Sequence, residues 1–553
     1  MKKIDKFLDA EWKQNVFLLL IISLAYLPVL VAPKTVNHDA QLIIPLLKSV
    51  HSFSDYYEML FSFKTYDVQP IRDLTFFVDI FFFKHFHFNT FIVQNIFFWF
   101  LACIAVKKSL SLVFSSFSRN ECFYLACLFA IYPLFCGTLC WGIARKHILS
   151  FLFIMLSTLF LFKILKKTGV KKYEVILINV FYILSIFSQP ITLLWPFWAL
   201  TYVFINFREK IKTIAFHLIP SVILFIVGAY VNSLYYELSP VFKIHYESKT
   251  SDAFNFSDKV LGLGHYIYQL FLPFWQATHY QLGHWSVWVG ILLMGFFSLI
   301  YLSLKLNKSW LLSWFGFVMF PLAVILSNPH ILSDNYLLTP SFGVLVLVVT
   351  LLNKNENFKN KFFNFGFFPL LLVWSSYTFQ EAKLWTDPLK YSEIRNFERR
   401  PNCESAINMA RKFYALKGYI PEKAKDYLEN FECSHPVVSV AASAVSYIYL
   451  QTYINYYEKE ISLENKIRVL EKLSHIYYFS KLVLAVVYIE SKREREGEVL
   501  INEVYKDYDK ISWVDYYDLI LAKKLEPYCK RTNNFDCLRI TSHFSQVPDI
   551  PYY

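Results

Sequence analysis

Between residues 15 and 378 the chain carries one apolar run after another, each about the length a helix needs to cross a bilayer. No soluble fold of this length accommodates that pattern, because it would have to leave much of the apolar surface in water. The whole chain is 56% hydrophobic and 19% aromatic, with only 18% charged residues. An all-α, polytopic membrane protein is therefore expected. Spans are predicted near 15–33, 88–107, 121–137, 147–165, 173–189, 191–207, 214–236, 286–304, 309–326, 336–353 and 362–378, eleven in all. The basic start "MKKIDK" and the apolar run after it resemble a signal peptide, but the run is long and has no small-residue exit, so it is read as an uncleaved first helix.

The formal charge of +12 suits nucleic acid in principle, but its placement excludes that reading. Lysine and arginine gather in 106–119, 163–172, 207–213, 305–309 and 353–361, which are alternate loops of the predicted topology. The positive-inside rule then puts the N-terminus in the cytoplasm and, with eleven spans, everything after residue 378 on the far side. The two long far-side loops, 34–87 and 237–285, mix aromatics, histidines and isolated charges. In the first, "QLIIPLLKSV" and "DYYEMLFSF" read as short amphipathic helices on the membrane surface.

From residue 379 the chain is charged and has no run long enough to span. Helical periodicity with a Gly-Tyr-Ile-Pro break over 404–431 approaches the tetratricopeptide pattern, with Ala410, Tyr414, Gly418, Tyr427 and Pro436 near its consensus positions. Stretches 440–478 and 480–508 read as further helical hairpins, so two domains are expected: 1–378 in the membrane and a 379–553 helical solenoid. Cys103, Cys122 and Cys127 lie in or beside spans, where packing is the default role. The tail carries Cys403, Cys433, Cys529 and Cys537 in what should be an oxidising compartment. Disulfides Cys403–Cys433 and Cys529–Cys537 are predicted, out of three possible pairings.

Several stretches in order resemble one family. "NHDAQLIIP" (37–45) and "YDVQPIRDLTFFVDIFFFKHFHFNTFIVQNIFFWFLA" (66–102) are similar to an acidic first loop, a Tyr-Arg-Pro-Leu element and an LT-x-x-x-D run into a His/Asn-rich helix. "YPLFCGTLCWGIARKHILSFLF" (132–153), "FSQPITLLWPFWAL" (187–200), "YIYQLFLP" (266–273), "SDNYLLTPS" (333–341) and "LWTDPLKYSEI" (384–394) continue the series. The family is the transmembrane and tetratricopeptide-repeat O-mannosyltransferases and their bacterial relatives, within the GT-C glycosyltransferases. The resemblance implies a GT-C-like bundle, a sugar donor on polyprenyl or dolichyl phosphate, and an active site facing the periplasm or lumen. The chain departs from the pattern at His38–Asp39, where two adjacent acids are usual. It departs again at Gln69 (for Arg), Gln189 (for Lys) and Asn335 (for Arg).

Transfer from a lipid phosphate to a hydroxyl requires a base, cations for the leaving phosphate, and a groove for the lipid. Asp39, just outside the first span, is the expected base, or else a surface acid or helix N-cap. His38 is a helper or a plain surface histidine. Arg145 and Lys146 begin a span on the side where topology-setting charges are not expected, so a phosphate partner or ordinary headgroups would account for them. His147 belongs to the same edge. Arg72 is a further phosphate candidate unless it merely pairs with Asp73. Asp334 and Tyr336 are candidates for donor contact. No cofactor is expected and a divalent metal is not favoured, since only Asp39 is clearly placed as a hard ligand.

The expected partners are a polyprenyl-phosphate sugar, an acceptor protein or glycan, and membrane lipids. The expected location is a bacterial inner membrane with the tail in the periplasm. The alternatives are a transporter or flippase for lipid-linked sugars, and a membrane scaffold whose repeats recruit partners.

Overall fold

The computed structural model describes residues 10–32, 52–61, 69–82, 89–167, 170–238, 334–398, 421–424, 478–506 and 525–532, with isolated positions between 266 and 273 and between 406 and 538. Among these residues the regular structure is helix, with no strand. The elements used below are α1 (Glu11–Ala25), α2 (Pro70–Phe82), α3 (Asn89–Val113), α4 (Arg119–Ala130), α5 (Arg145–Lys166), α6 (Lys172–Ile186), α7 (Trp195–Asn206), α8 (Ile211–Leu238), α9 (Leu338–Lys354), α10 (Phe367–Leu384), α11 (Tyr478–Glu490) and α12 (Glu494–Lys506).

Local chemistry sets the boundaries. Ser118 caps α4: its hydroxyl accepts from the Glu121 amide at 3.2 Å while the Glu121 carboxylate accepts from the Ser118 amide at 2.6 Å. Such a reciprocal cap satisfies two otherwise orphaned donors and stabilises by about 1 kcal/mol. Proline opens α2 and interrupts the first span, where Pro28 begins a separate short helix, Leu27–Val31. Pro133 similarly starts a new turn after α4, and the Pro133–Cys140 segment leaves the α4 axis by 46°.

Among the described residues, five stretches are long and apolar enough to cross a membrane: Phe91–Val113, Arg145–Lys166, Arg208–Val231, Asn335–Lys354 and Glu356–Leu384. The bent pair at 119–140 is either a broken sixth span or a re-entrant loop, and the chain is a membrane protein. The expectation of eleven spans is thus met only in part. The predicted spans 15–33, 173–189 and 191–207 coincide with helices of 15, 15 and 12 residues, short of the roughly 20 needed to span alone. Prolines at 28 and 190 end regular helix there, which hydropathy alone does not register. Spans 286–304 and 309–326 lie outside the described residues.

The core forms where α3, α4 and α5 meet around Trp99. Its ring lies 4.9 Å from that of Phe135 and 5.7 Å from that of Phe151, and its indole N–H donates to the Ala130 carbonyl at 2.9 Å. Hydroxyls join α5 to its neighbours. Ser157 donates to Ile178 O at 2.9 Å, Ser185 to Ser150 O at 2.8 Å, and the Trp195 indole to Thr158 at 2.9 Å. In lipid, where burying oil gains nothing, such bonds and small contact residues are what hold helices together. The outer face of α8 is different: Phe216, Ile223 and Ile226 are exposed, as a lipid-facing surface requires.

Asn95 near the start of α3 hydrogen-bonds Arg145 at the start of α5, so the two helices run in the same direction. Their other ends carry the lysines. Glu11 pairs with Lys108 at 3.2 Å and Arg119 at 3.1 Å, Lys359 with Glu121 at 3.4 Å, and Lys167 with Glu174 at 2.5 Å. Lys210 donates to the carbonyls of Leu165 and Lys167, both at 2.7 Å. Four of the five basic loops therefore gather at one lysine-rich end; the fifth, 305–309, lies outside the described residues.

In the tail, α11 and α12 form a tight antiparallel hairpin turned by Lys492 at φ 64°. A Cβ on Gly497 would stand 2.8 Å from Ile489 Cγ1 and 2.9 Å from Ala485 O, so the approach of the two helices requires glycine. Tyr488, buried against this hairpin and donating to Glu471 at 2.6 Å, has its pKa pushed up to about 12, burial being the larger cause. Cys529 and Cys537 are joined as a disulfide. Cys403, Cys433 and nearly all of the 404–431 and 440–478 stretches lie outside the described residues.

Candidate functional site

Opposite the lysine-rich end, the start of α5 meets α2, the start of α3 and the turn before α7. Arg145 is fully buried there. Its Nη1 stands 2.6 Å from Asp79 Oδ2 and donates to Thr75 Oγ1 at 3.2 Å. Its Nε donates to Asn95 Oδ1 at 3.1 Å and its Nη2 to Phe91 O at 3.4 Å. The guanidinium also lies 4.5 Å from the ring centroid of Phe76 and 5.4 Å from that of Phe91. Asp79 accepts from Gln94 at 2.6 Å, and Asn95 donates to the carbonyls of Trp141 and Gly142 at 3.2 and 3.3 Å.

This corrects the expectation of Arg145 as an accessible phosphate ligand. A charge taken out of water is tolerated only when paired and hydrogen-bonded, and the pairing here is internal to the protein. Thr75 and Asp79 lie one helical turn apart in α2, the signal in the LT-x-x-x-D run that marks both as facing Arg145.

Arg72 and Asp73 pair with each other. Arg72 Nε and Nη2 are both 2.7 Å from Asp73 Oδ1, and the side chains are 3% and 2% exposed. Lys146 is half-buried in the first turn of α5, and four residues on, on the same face, Ser150 donates to Gln189 O at 3.1 Å. Gln189 and Gln69, two of the departures noted above, meet: Gln69 Nε2 donates to Gln189 Oε1 at 2.8 Å. Tyr56, stacked on Phe77, donates its phenol to Pro70 O and holds the surface helix Phe53–Phe61 against α2.

A second cluster flanks the first. His147 is buried with its ring 5.2 Å from that of Tyr336, edge to face. Asp334 begins the turn Asp334–Leu337 that carries Tyr336. The third departure, Asn335, accepts from Thr138 at 2.9 Å. Beside it Arg395 pairs with Glu381 at 2.5 Å, both almost wholly buried. A Cβ on Gly137 would stand 3.1 Å from Arg395 Nη2 and 3.6 Å from Asn335 Oδ1. Glu381 and Arg395 carry no sequence signal of their own, since each reads as a charge just beyond the last span.

Asp39 and His38, the expected base and its neighbour, lie outside the described residues. Among the described residues no group of three His, Cys, Asp or Glu converges as metal ligands do. The arrangement offers buried cation–carboxylate pairs, a neutral amide pair and an aromatic wall, all at one end of the bundle. No family model, no curated protein and no solved structure matches this chain.

Proposed function

We propose that the chain is an integral-membrane glycosyltransferase that moves one sugar from a polyprenyl-phosphate donor to a protein serine or threonine, or to a glycan. What carries the reading is the contrast between the two ends of the bundle. Lysines and their ion pairs occupy one; the buried polar groups around α2, α5 and Gln189 occupy the other. A transporter is expected to hold such groups near mid-span on broken helices, whereas these gather toward the starts of α3 and α5, the end at which this reading seats a lipid phosphate.

In this reading the acceptor oxygen attacks the anomeric carbon as its bond to the phosphate oxygen breaks. The acceptor proton passes to the Asp39 carboxylate, and the lipid leaves as polyprenyl phosphate carrying the added negative charge. Lys146 offsets that charge, while Arg72 stays paired with Asp73. Arg145 holds Asp79 and Asn95 as the rigid floor beneath, while His147, Tyr336 and Asp334 border the donor. The tail, as a tetratricopeptide-like solenoid over 379–553, presents the acceptor on a concave face. The resemblance to the O-mannosyltransferases supports the same assignment and a bacterial inner membrane with the tail in the periplasm.

The test compares envelope glycans and glycoproteins by mass spectrometry in cells with the gene intact, deleted, or carrying Asp39→Asn. A sugar mass lost in both altered strains supports the reading. Loss on deletion alone removes Asp39 from the base role and favours transport. No change on deletion leaves the scaffold reading in its place.

A further inference from the structure

Cys136 and Cys140 are the first and last residues of a short helix that follows the bend at Pro133, and their four-residue spacing puts both on one face. Their sulfurs stand 3.4 Å apart, and both residues are fully buried. Cys136 also donates, weakly, to Thr378 O in α10 at 3.9 Å. Both are free thiols. Tyr26, at the break of the first span, is fully buried too, and its phenol oxygen has no hydrogen-bond partner. The titratable side chains that act on that phenol are the thiols of Cys136, Cys140 and Cys103, in that order.

Buried cysteines commonly serve as small apolar packing residues, but packing leaves Tyr26 unexplained. A buried O–H without an acceptor costs about 1–3 kcal/mol, and a neutral thiol is a poor acceptor. A thiolate is a strong one, so the phenol is matched to a deprotonated form of the pair. A disulfide is not that form. Cβ atoms four residues apart on a helix are separated by about 5–6 Å, against about 3.5–4.5 Å across a disulfide, so an S–S bond would distort the helix. One thiophilic ion between the sulfurs keeps the helix and uses both thiolates. Zinc would call for two further ligands, and among the described residues no third His, Cys, Asp or Glu joins the pair. A soft monovalent ion is drawn to thiolates, and two of them satisfy it.

We infer that Cys136 and Cys140 are a two-sulfur site for one soft monovalent cation, Cu(I) being the ordinary cellular ion of that class. Binding replaces two S–H bonds by two S–Cu bonds and releases two protons, which leaves the site with one net negative charge. The ion takes the place of the protons between the sulfurs, so a small rotation of the two side chains admits it and no separate cavity is called for. Two groups offset the charge. The Tyr26 O–H gains a thiolate to donate to, and the Arg395 guanidinium lies over the same helix, its Nη2 3.1 Å from the place of a Cβ on Gly137. The bound ion fastens the bent 133–140 segment to the first span at Tyr26. This site stands independently of the glycosyltransferase reading.

The test titrates the full-length protein, reduced and oxygen-free in detergent micelles, with Cu(I) supplied as its bicinchoninate complex. The wild type is expected to withdraw Cu(I) from the chelator and to develop an ultraviolet sulfur-to-metal band. Cys136→Ser and Cys140→Ser should each take up one equivalent fewer, while Cys127→Ser matches the wild type. Tyr26→Phe should bind about tenfold more weakly. Bound Cu(I) should raise the melting temperature of the wild type and leave that of Cys140→Ser unchanged. No uptake by the wild type, or equal uptake by the wild type and both serine variants at 136 and 140, overturns the inference. If those variants do not assemble, alkylation of the wild type in mild denaturant, mapped by peptide mass spectrometry, decides. Cu(I) should then protect Cys136 and Cys140 selectively, and equal reactivity of the two with and without Cu(I) overturns the site.

Discussion

Arg145 and Asp79 are 66 residues apart in the chain, and their charged atoms are 2.6 Å apart in a site where the side chains are 0% and 6% exposed. The pair joins the start of α5 to α2 and, through Asn95, to α3. Breaking it from one side strands a buried charge. Arg145→Met or Asp79→Leu alone should therefore destabilise by about 3–5 kcal/mol, and the double substitution should recover much of that loss. Unfolding in mixed micelles, read by Trp fluorescence, checks the cycle. Additive losses in the double variant would show that the two residues act independently.

Arg395 and Glu381 form a second buried pair, with Gly137 beneath it. Gly137→Leu should push Arg395 off Glu381 and loosen the 391–398 segment, at a cost of about 1–3 kcal/mol. Limited proteolysis should then cut between 385 and 400 sooner than in the wild type, with Gly137→Ala intermediate. Unchanged cleavage in both variants would mean that the pair does not anchor this segment.

The lysine-rich end makes a topological prediction. Single cysteines at Lys108, Lys210 and Lys359 should all be labelled by a membrane-impermeant maleimide only after the cytoplasmic face is opened. Cysteines at Tyr57 and Lys423 should label in intact spheroplasts. Mixed labelling within the first group would contradict the shared end seen in the structure.

Two features of the tail give separate stability predictions. Gly497→Ala brings a Cβ within 3 Å of both Ile489 Cγ1 and Ala485 O, and should part α11 from α12 at a cost of about 1–3 kcal/mol, read as faster hydrogen exchange over 478–506. Cys529–Cys537 closes a short loop, with a sequence separation of 8. Its removal by paired Ser substitutions should cost about 2–3 kcal/mol. Denaturant titration of the two variants, each against wild type, tests both.

Much of this architecture is determined by sequence alone. Apolar runs long enough to span fix a helical membrane bundle, because only hydrogen-bonded helix or a closed barrel survives in hydrocarbon. The spacing of lysine clusters between runs marks loops that the structure brings to one end. The Pro28 and Pro190 breaks were visible as residues, yet their effect on helix length was not, since hydropathy sums a window and proline acts at one bond. The Thr75–Asp79 spacing in α2 was legible as one helical face, but not what that face would meet. Only the tertiary structure decided that Arg145 turns inward to Asp79 instead of outward to a headgroup, that Gln69 finds Gln189 across 120 residues, and that Glu381 finds Arg395. Those choices depend on which helix ends converge, and a sequence lists charges without saying which of them will be left together away from water.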